Sequence, residues 1–122
     1  MGYTHHDCAK LVAEGVDVLD ISPASDQAPA DLAAPFRSLG VPVIGVNQLD
    51  DVKRALEALN EGRADLIAVG RGLIADPLWP QKVDNGQIKD IITCTRCNQG
   101  CFGNLRKGIP IQCVQREELG LA

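Results

Sequence analysis

Clustered positive charge is missing from this sequence. Its 12 Lys and Arg are scattered among 16 Asp and Glu, for a net charge of −4. Phosphate-backbone binding needs grouped cations, so nucleic acid is not an expected partner. Missing too is any apolar run near the ~20 residues that span a bilayer, so no membrane partner is expected. The first residues, MGYTHHDCAK, carry neither the positive segment nor the apolar segment of a secretory signal, and the expected location is cytoplasmic. There is no G-x-G-x-x-G, Tyr3 is the only tyrosine, and no low-complexity tract interrupts the chain. At 122 residues, 45% hydrophobic and 23% charged, it has the composition of an ordinary soluble protein of one domain at most.

What is present is a concentration of cysteine near the end. The stretch CTRCNQGCFGNLRKGIPIQC holds Cys94, Cys97, Cys101 and Cys113, a C-x2-C-x3-C followed after eleven residues by a fourth Cys. Three thiolates in one turn-rich loop, with a fourth returned by a short excursion, can surround one soft metal centre. A disulfide needs no such crowding, and reduced thiols are expected where there is no export signal. The spacing reads as a four-cysteine site for either an iron–sulfur cluster or a structural zinc.

Upstream, helices and apolar segments alternate. Thr4 with Asp7 predicts a capped helix ending near Gly15. A strand over Val16–Ile21 follows, closed by Ser22 and Pro23. A short helix is expected over Asp31–Leu39, stopped by Gly40, and then a strand over Val41–Val46. Asp50 and Asp51 open the cleanest helix, with Val52, Ala55, Leu56 and Leu59 on one face and Lys53, Arg54 and Glu57 on the other. Gly62 ends it before a third strand, Ala64–Gly70. Trp79–Asp90 reads as a polar turn-and-helix segment, and Gly100, Gly103, Gly108 and Pro110 suit an irregular loop around a metal. Apolar strands alternating with amphipathic helices predict βα units around a parallel sheet.

Two strand ends carry ligand-binding chemistry. One reads Gly45-Val46-Asn47-Gln48 and the other Gly70-Arg71-Gly72. Small residues there let a ligand approach the backbone, amides at a following helix N-terminus attract phosphate, and Arg71 adds a charge-assisted contact. Adjacent strands ending this way resemble the phosphate site of a (β/α)8 barrel, although glycine after a strand is more often only a turn.

The run Gly62-Arg63-Ala64-Asp65-Leu66-Ile67-Ala68-Val69-Gly70-Arg71-Gly72-Leu73-Ile74-Ala75-Asp76-Pro77, continued by the cysteine signature, resembles the Old Yellow Enzyme family of NADH:flavin oxidoreductases, iron–sulfur branch. The 2,4-dienoyl-CoA reductase and trimethylamine dehydrogenase types belong to that branch. The resemblance runs from Asp7 to Cys113. It implies an α/β fold, the C-terminal three βα units of a (β/α)8 (TIM) barrel, family strands six to eight, followed by an irregular four-cysteine cluster-binding loop. On that division residues 1–88 are a partial FMN-binding barrel and 89–122 the iron–sulfur segment. Gly45, Val46, Asn47, Gly70 and Arg71 would contact the FMN phosphate, and Cys94, Cys97, Cys101 and Cys113 would ligate a 4Fe-4S cluster. Gln48 stands where relatives often carry Arg, and Gly72 where they often carry Pro.

A full barrel takes roughly 250 residues. The five other units would bring the flavin-ring contacts and the substrate-facing acid, and a further nucleotide-binding region would serve FAD and NAD(P)H. The resemblance therefore implies part of an oxidoreductase passing electrons between NAD(P)H, flavin and a small-molecule substrate of enoyl or amine type, inactive as an isolated chain. Exposed sheet edges imply self-association or a partner chain supplying the remaining strands. The competing expectation is a non-enzymatic four-cysteine module holding zinc or a cluster.

Other conspicuous residues have plainer readings. His5 and His6 point in different directions from one helical turn and are expected to be solvated. Cys8 reads as a core thiol, Trp79 as packing, Asp17, Asp20 and Asp65 as satisfied strand-end carboxylates, and Glu117 and Glu118 as a solvated tail. The catalytic residue and the substrate are not legible.

Overall fold

A computed structural model describes residues 3–23, 25, 27–29 and 32–121. The chain forms two compact units, one running to Val69 and the other beginning at Gly70. Compactness thus groups residues 70–88 with the cysteine segment, whereas the family resemblance assigns them to the barrel.

The first unit begins with helix α1, His5–Ala13, whose Thr4 and Asp7 form a reciprocal capping box. Strand β1 is Leu19–Ile21, a 3-10 helix spans Ala34–Leu39, strand β2 is Val43–Gly45, helix α2 is Val52–Asn60 and strand β3 is Leu66–Ile67. The three strands are parallel in the order β1-β2-β3, with Leu19 opposite Val43 and Ile44 opposite Leu66. An α/β fold on a parallel sheet is therefore correct.

The strands are shorter than expected, for local reasons. Val16 cannot start β1, because its N–H closes α1 on Leu11 O at 3.1 Å after Gly15 turns at φ +103. Arg63 and Ala64 are likewise used in closing α2 on Ala58 O. Strand β2 stops because Asn47 and Gln48 take φ 86 and φ 56, in the left-handed region. The expected helix at Asp31–Leu39 is a 3-10 helix from Ala34, with Pro35 in its first turn and Gly40 left-handed at its end. Asp31 lies outside the described residues.

Cys8, Leu19, Ala33, Val43 and Ala64 make the core between α1 and the sheet, and the plain reading of Cys8 holds at 4% exposure. A second cluster joins Leu49, Ala55 and Ala58 to Ile67. Here the predicted face of α2 needs correction. Val52, Ala55 and Ala58 are buried, whereas Leu56 and Leu59 are 48% and 40% exposed. Leu49 packs beside the small alanines and draws the helix round toward Ala58. Asp65 is satisfied as expected: it accepts the Val43 N–H at 2.8 Å and pairs with Arg37.

The second unit contains helices α3 (Arg71–Ala75) and α4 (Trp79–Asp84), then a 3-10 turn at Ile88–Asp90. A loop without regular structure leads to a π-helical turn at Gln99–Gly103, short helix α5 (Asn104–Arg106) and helix α6 (Val114–Glu118). Two expectations are corrected in this unit. Arg71 and Gly72 lie in the first turn of α3 and not on a strand end, because β3 closes at Ile67. Glu117 and Glu118 are solvated as expected but lie on α6 and not in a tail, and the Glu117 carboxylate accepts from Gln112 Nε2 at 3.0 Å. Among the described residues no helix is long and apolar enough to cross a membrane.

Candidate metal centre

Cys94 and Cys97 stand on irregular backbone, Cys101 lies in the π-helical turn and Cys113 immediately precedes α6. Between Cys94 and Cys97, Arg96 adopts φ 61, and just after Cys97, Asn98 adopts φ 59. Non-glycine residues in this region carry backbone strain, which structures retain mainly where surrounding contacts over-determine it. The strain turns the chain twice within five residues. One consequence is visible at the first thiol, where the Arg96 N–H donates to Cys94 Sγ at 3.4 Å.

The return excursion is fixed by backbone contact. Gln112 N–H donates to Gly100 O at 3.0 Å. A Cβ on Gly100 would lie 2.5 Å from Gln112 O, so only glycine allows the Cys113 strand of the loop to approach the Cys101 turn. Gln115 Nε2 donates to Thr93 O at 2.9 Å, tying α6 to the residue before Cys94. Asp76 supports the entry to the loop. It is 1% exposed and accepts from Lys82 Nζ at 2.6 Å, Ile92 N–H at 2.9 Å and Leu78 N–H at 3.0 Å. Burial pushes its carboxyl up, but the bonds from Lys82, Ile92 and Leu78 outweigh it and hold the group below the ordinary carboxylate value. Asp76 belongs to the quoted family run, yet nothing in the sequence alone reveals that the three bonds converge on it.

Cys94, Cys97, Cys101 and Cys113 together line one cleft of about 20 Å³, along with Arg71, Ile74, Asn98 and Gly100. All four are free thiols, Cys97 exposed and the others half-buried. Four thiols around one cleft are a donor set that suits a soft metal centre. Among the described residues no three Cys, His, Asp or Glu side chains converge on a single-ion position. Cys8 sits in the core of the first unit.

The expected flavin-phosphate residues divide between the units. In the first, Gly45 is buried, and an added Cβ would press on Ala64 Cβ at 3.0 Å and Leu49 Cδ1 at 3.2 Å, so packing already accounts for a small residue there. Half-buried Val46 and Asn47 follow, and Asn47 Nδ2 donates to Ala28 O at 2.7 Å. Gln48, at the departure from the family pattern, accepts from Arg54. In the second unit Gly70 is exposed, and a Cβ there would meet nothing within 4 Å. Arg71 turns toward the cysteine loop, where Nη1 donates to Asn98 Oδ1 at 2.6 Å and the guanidinium carbon lies 5.7 Å from the centroid of the Phe102 ring.

Residues 27–90 match the family model of the NADH:flavin oxidoreductase / NADH oxidase family, and the chain belongs to that family. It is 38% identical over 111 residues to the NADH oxidase of Thermoanaerobacter brockii, covering 78% of this chain and 17% of that protein. It is 38% identical over 80 residues to dimethylamine dehydrogenase of Hyphomicrobium sp. (strain x), covering 65% of this chain and 11% of that one. Among solved structures, a 2-naphthoyl-CoA reductase complex superposes with a TM-score of 0.71 at 25% identity, over 86% of this chain and 18% of that chain. The chain thus spans less than a fifth of each of these relatives. The Old Yellow Enzyme-like resemblance is borne out, and with it an oxidoreductase, flavoprotein ancestry for these residues.

Proposed function

We propose that this chain is the cluster-holding part of an FMN- and 4Fe-4S-dependent oxidoreductase that passes electrons between NAD(P)H, flavin and an enoyl- or amine-type substrate. The observation that carries the reading is the gathering of four thiols, spread over residues 94–113, around one cleft in a member of a flavin oxidoreductase family. Cys94, Cys97, Cys101 and Cys113 serve as thiolate ligands, and the Arg96 amide supports the first of them. When bound, the cluster exchanges single electrons with a flavin that handles electron pairs. A single zinc ion would draw the sulfurs to ~2.3 Å from one point. What supports the cluster over zinc is the family membership, in which a redox centre beside a flavin has an electron-transfer partner.

The flavin side follows from the family membership. Gly70 and Arg71 contribute backbone amides to holding the FMN phosphate, the Arg71 side chain being turned to the cysteine loop, and the Gly45-Val46-Asn47 backbone contributes amides as well. These residues bind and orient; the flavin-ring contacts, the substrate and its proton donor belong to other βα units of the (β/α)8 barrel. FAD and NAD(P)H are served by regions outside these residues, and the chain is expected to be inactive alone. The barrel assignment to family strands six to eight, the division at residue 88 and a cytoplasmic location are parts of the same proposal.

Anaerobic reconstitution with iron and sulfide tests it. About four irons and four acid-labile sulfides per chain are expected, lost in Cys97→Ser and kept in Cys8→Ala. Stoichiometric zinc with no sulfide uptake would replace this reading with that of a non-enzymatic metal-binding module.

A further inference from the structure

The cleft bordered by the four cysteines has one wall of fixed charge. Apart from the four cysteines, Arg71 is the one lining residue with a charged side chain. That side chain is held on two sides by the cysteine loop. Its Nη1 donates to Asn98 Oδ1 at 2.6 Å, and its guanidinium lies over the Phe102 ring, 5.7 Å from the centroid. This distance is within the range of a cation–π contact. Asn98 immediately follows Cys97 at φ 59, and Phe102 immediately follows Cys101. Arg71 therefore grips the loop on both sides of the Cys97–Cys101 link. A guanidinium is planar and stays protonated throughout the accessible pH range, so its charge and direction are constant.

We propose that Arg71 is a positioning residue for the thiolate centre and sets its redox equilibrium, an inference that rests on the cluster reading above. Four thiolates make the centre anionic, and reduction adds one electron with no sulfur ligand gained or lost. A fixed cation beside the cleft stabilises the more negative, reduced form over the oxidised one. The centre becomes easier to reduce, and Asn98 and Phe102 hold the cation where this effect is felt.

The test uses the 122-residue chain, reconstituted anaerobically and titrated with dithionite at controlled potential, with iron and sulfide measured in each sample. Arg71→Gln is expected to shift the reduction equilibrium toward the oxidised form by about tenfold, or 59 mV for one electron. Arg71→Lys, which keeps the charge, is expected to recover most of that shift. Asn98→Ala, which leaves the cation and removes one of its two anchors, is expected to move the equilibrium in the same direction as Arg71→Gln and by less. If Arg71→Gln does not load, Asn98→Ala carries the measurement, and a value equal to the parent's overturns the inference. A loaded Arg71→Gln protein titrating with the parent also overturns it, leaving the cluster reading intact. A parent chain that takes up no sulfide overturns both.

Discussion

The carboxylate of Asp76 accepts the backbone N–H of Ile92 at 2.9 Å, sixteen residues further along the chain and two before Cys94. The same group receives Lys82 Nζ at 2.6 Å, and Lys82 also donates to Asp90 O at 2.8 Å. The entrance to the cysteine loop is thereby fastened to the end of α3 by a carboxylate that is almost fully buried. Removing one partner from a buried ion pair costs more than the pair itself contributes, because the other charge is left uncompensated.

Asp76→Ala is accordingly expected to destabilise the second unit by about 3 kcal/mol. Urea unfolding followed by far-UV circular dichroism measures this. A change under ~0.5 kcal/mol, the usual scale for an unimportant surface site, would show that the fastening is dispensable.

The pH dependence of this contribution has a definite sign. Asp76 is held below the ordinary carboxylate value in the folded chain, so its stabilisation is fully present above the unfolded value of ~4 and is lost as pH falls through the lower folded value. Acid titration should therefore show the parent losing stability below about pH 4. Asp76→Asn should lack that part of the loss, and parallel acid curves for the two proteins would count against the assignment.

Gly100→Ala places a methyl group 2.5 Å from Gln112 O, against backbone that cannot swing aside. The expected cost is about 1–3 kcal/mol, the range for forced overpacking. The Cys113 arm should separate from the Cys101 turn. Iron and sulfide retention after reconstitution reads the effect directly, and full retention would mean that the arm closes by another route.

Asp65 is the corresponding fastening in the first unit. Val43 is fully buried, and Asp65 accepts its N–H at 2.8 Å. Asp65→Ala leaves that donor without its carboxylate and should cost about 2 kcal/mol in urea unfolding. The Arg37 pair is a third exposed on each side and adds little. Arg37→Ala should therefore be much milder, and equal losses in the two variants would reverse this ranking.

The sheet ends at β1 and β3, and Leu56, Leu59 and Leu66 are 48%, 40% and 52% exposed. Open edges and apolar side chains of this kind invite pairing. Association with further copies, or with a partner chain supplying barrel strands, is the expected outcome. Sedimentation velocity at micromolar concentration should show species larger than one chain, and a stable monomer there would count against it.

The elements that the sequence itself determined are those with short-range causes. The Thr4–Asp7 capping box and the Asp51 cap of α2 involve partners three residues apart. The left-handed stops at Gly40 and Gly62 follow from the residue type. The parallel order of β1, β2 and β3 follows from short apolar segments separated by helices. The cysteine spacing was legible for the same reason, since three of the four lie within eight residues. Tertiary structure decided what depends on partners distant in the chain. The strands are shorter than their apolar runs because Val16, Arg63 and Ala64 are used in closing helices. The buried face of α2 departs from its apolar stripe because Leu49 and Ile67 pack on Ala58 and not on Leu56. Asp76 and Arg71 showed nothing in their local sequence of bonds reaching Ile92 and Asn98. Periodicity records which residues can face a core, but a buried charge finds its partners only when the chain has folded around it.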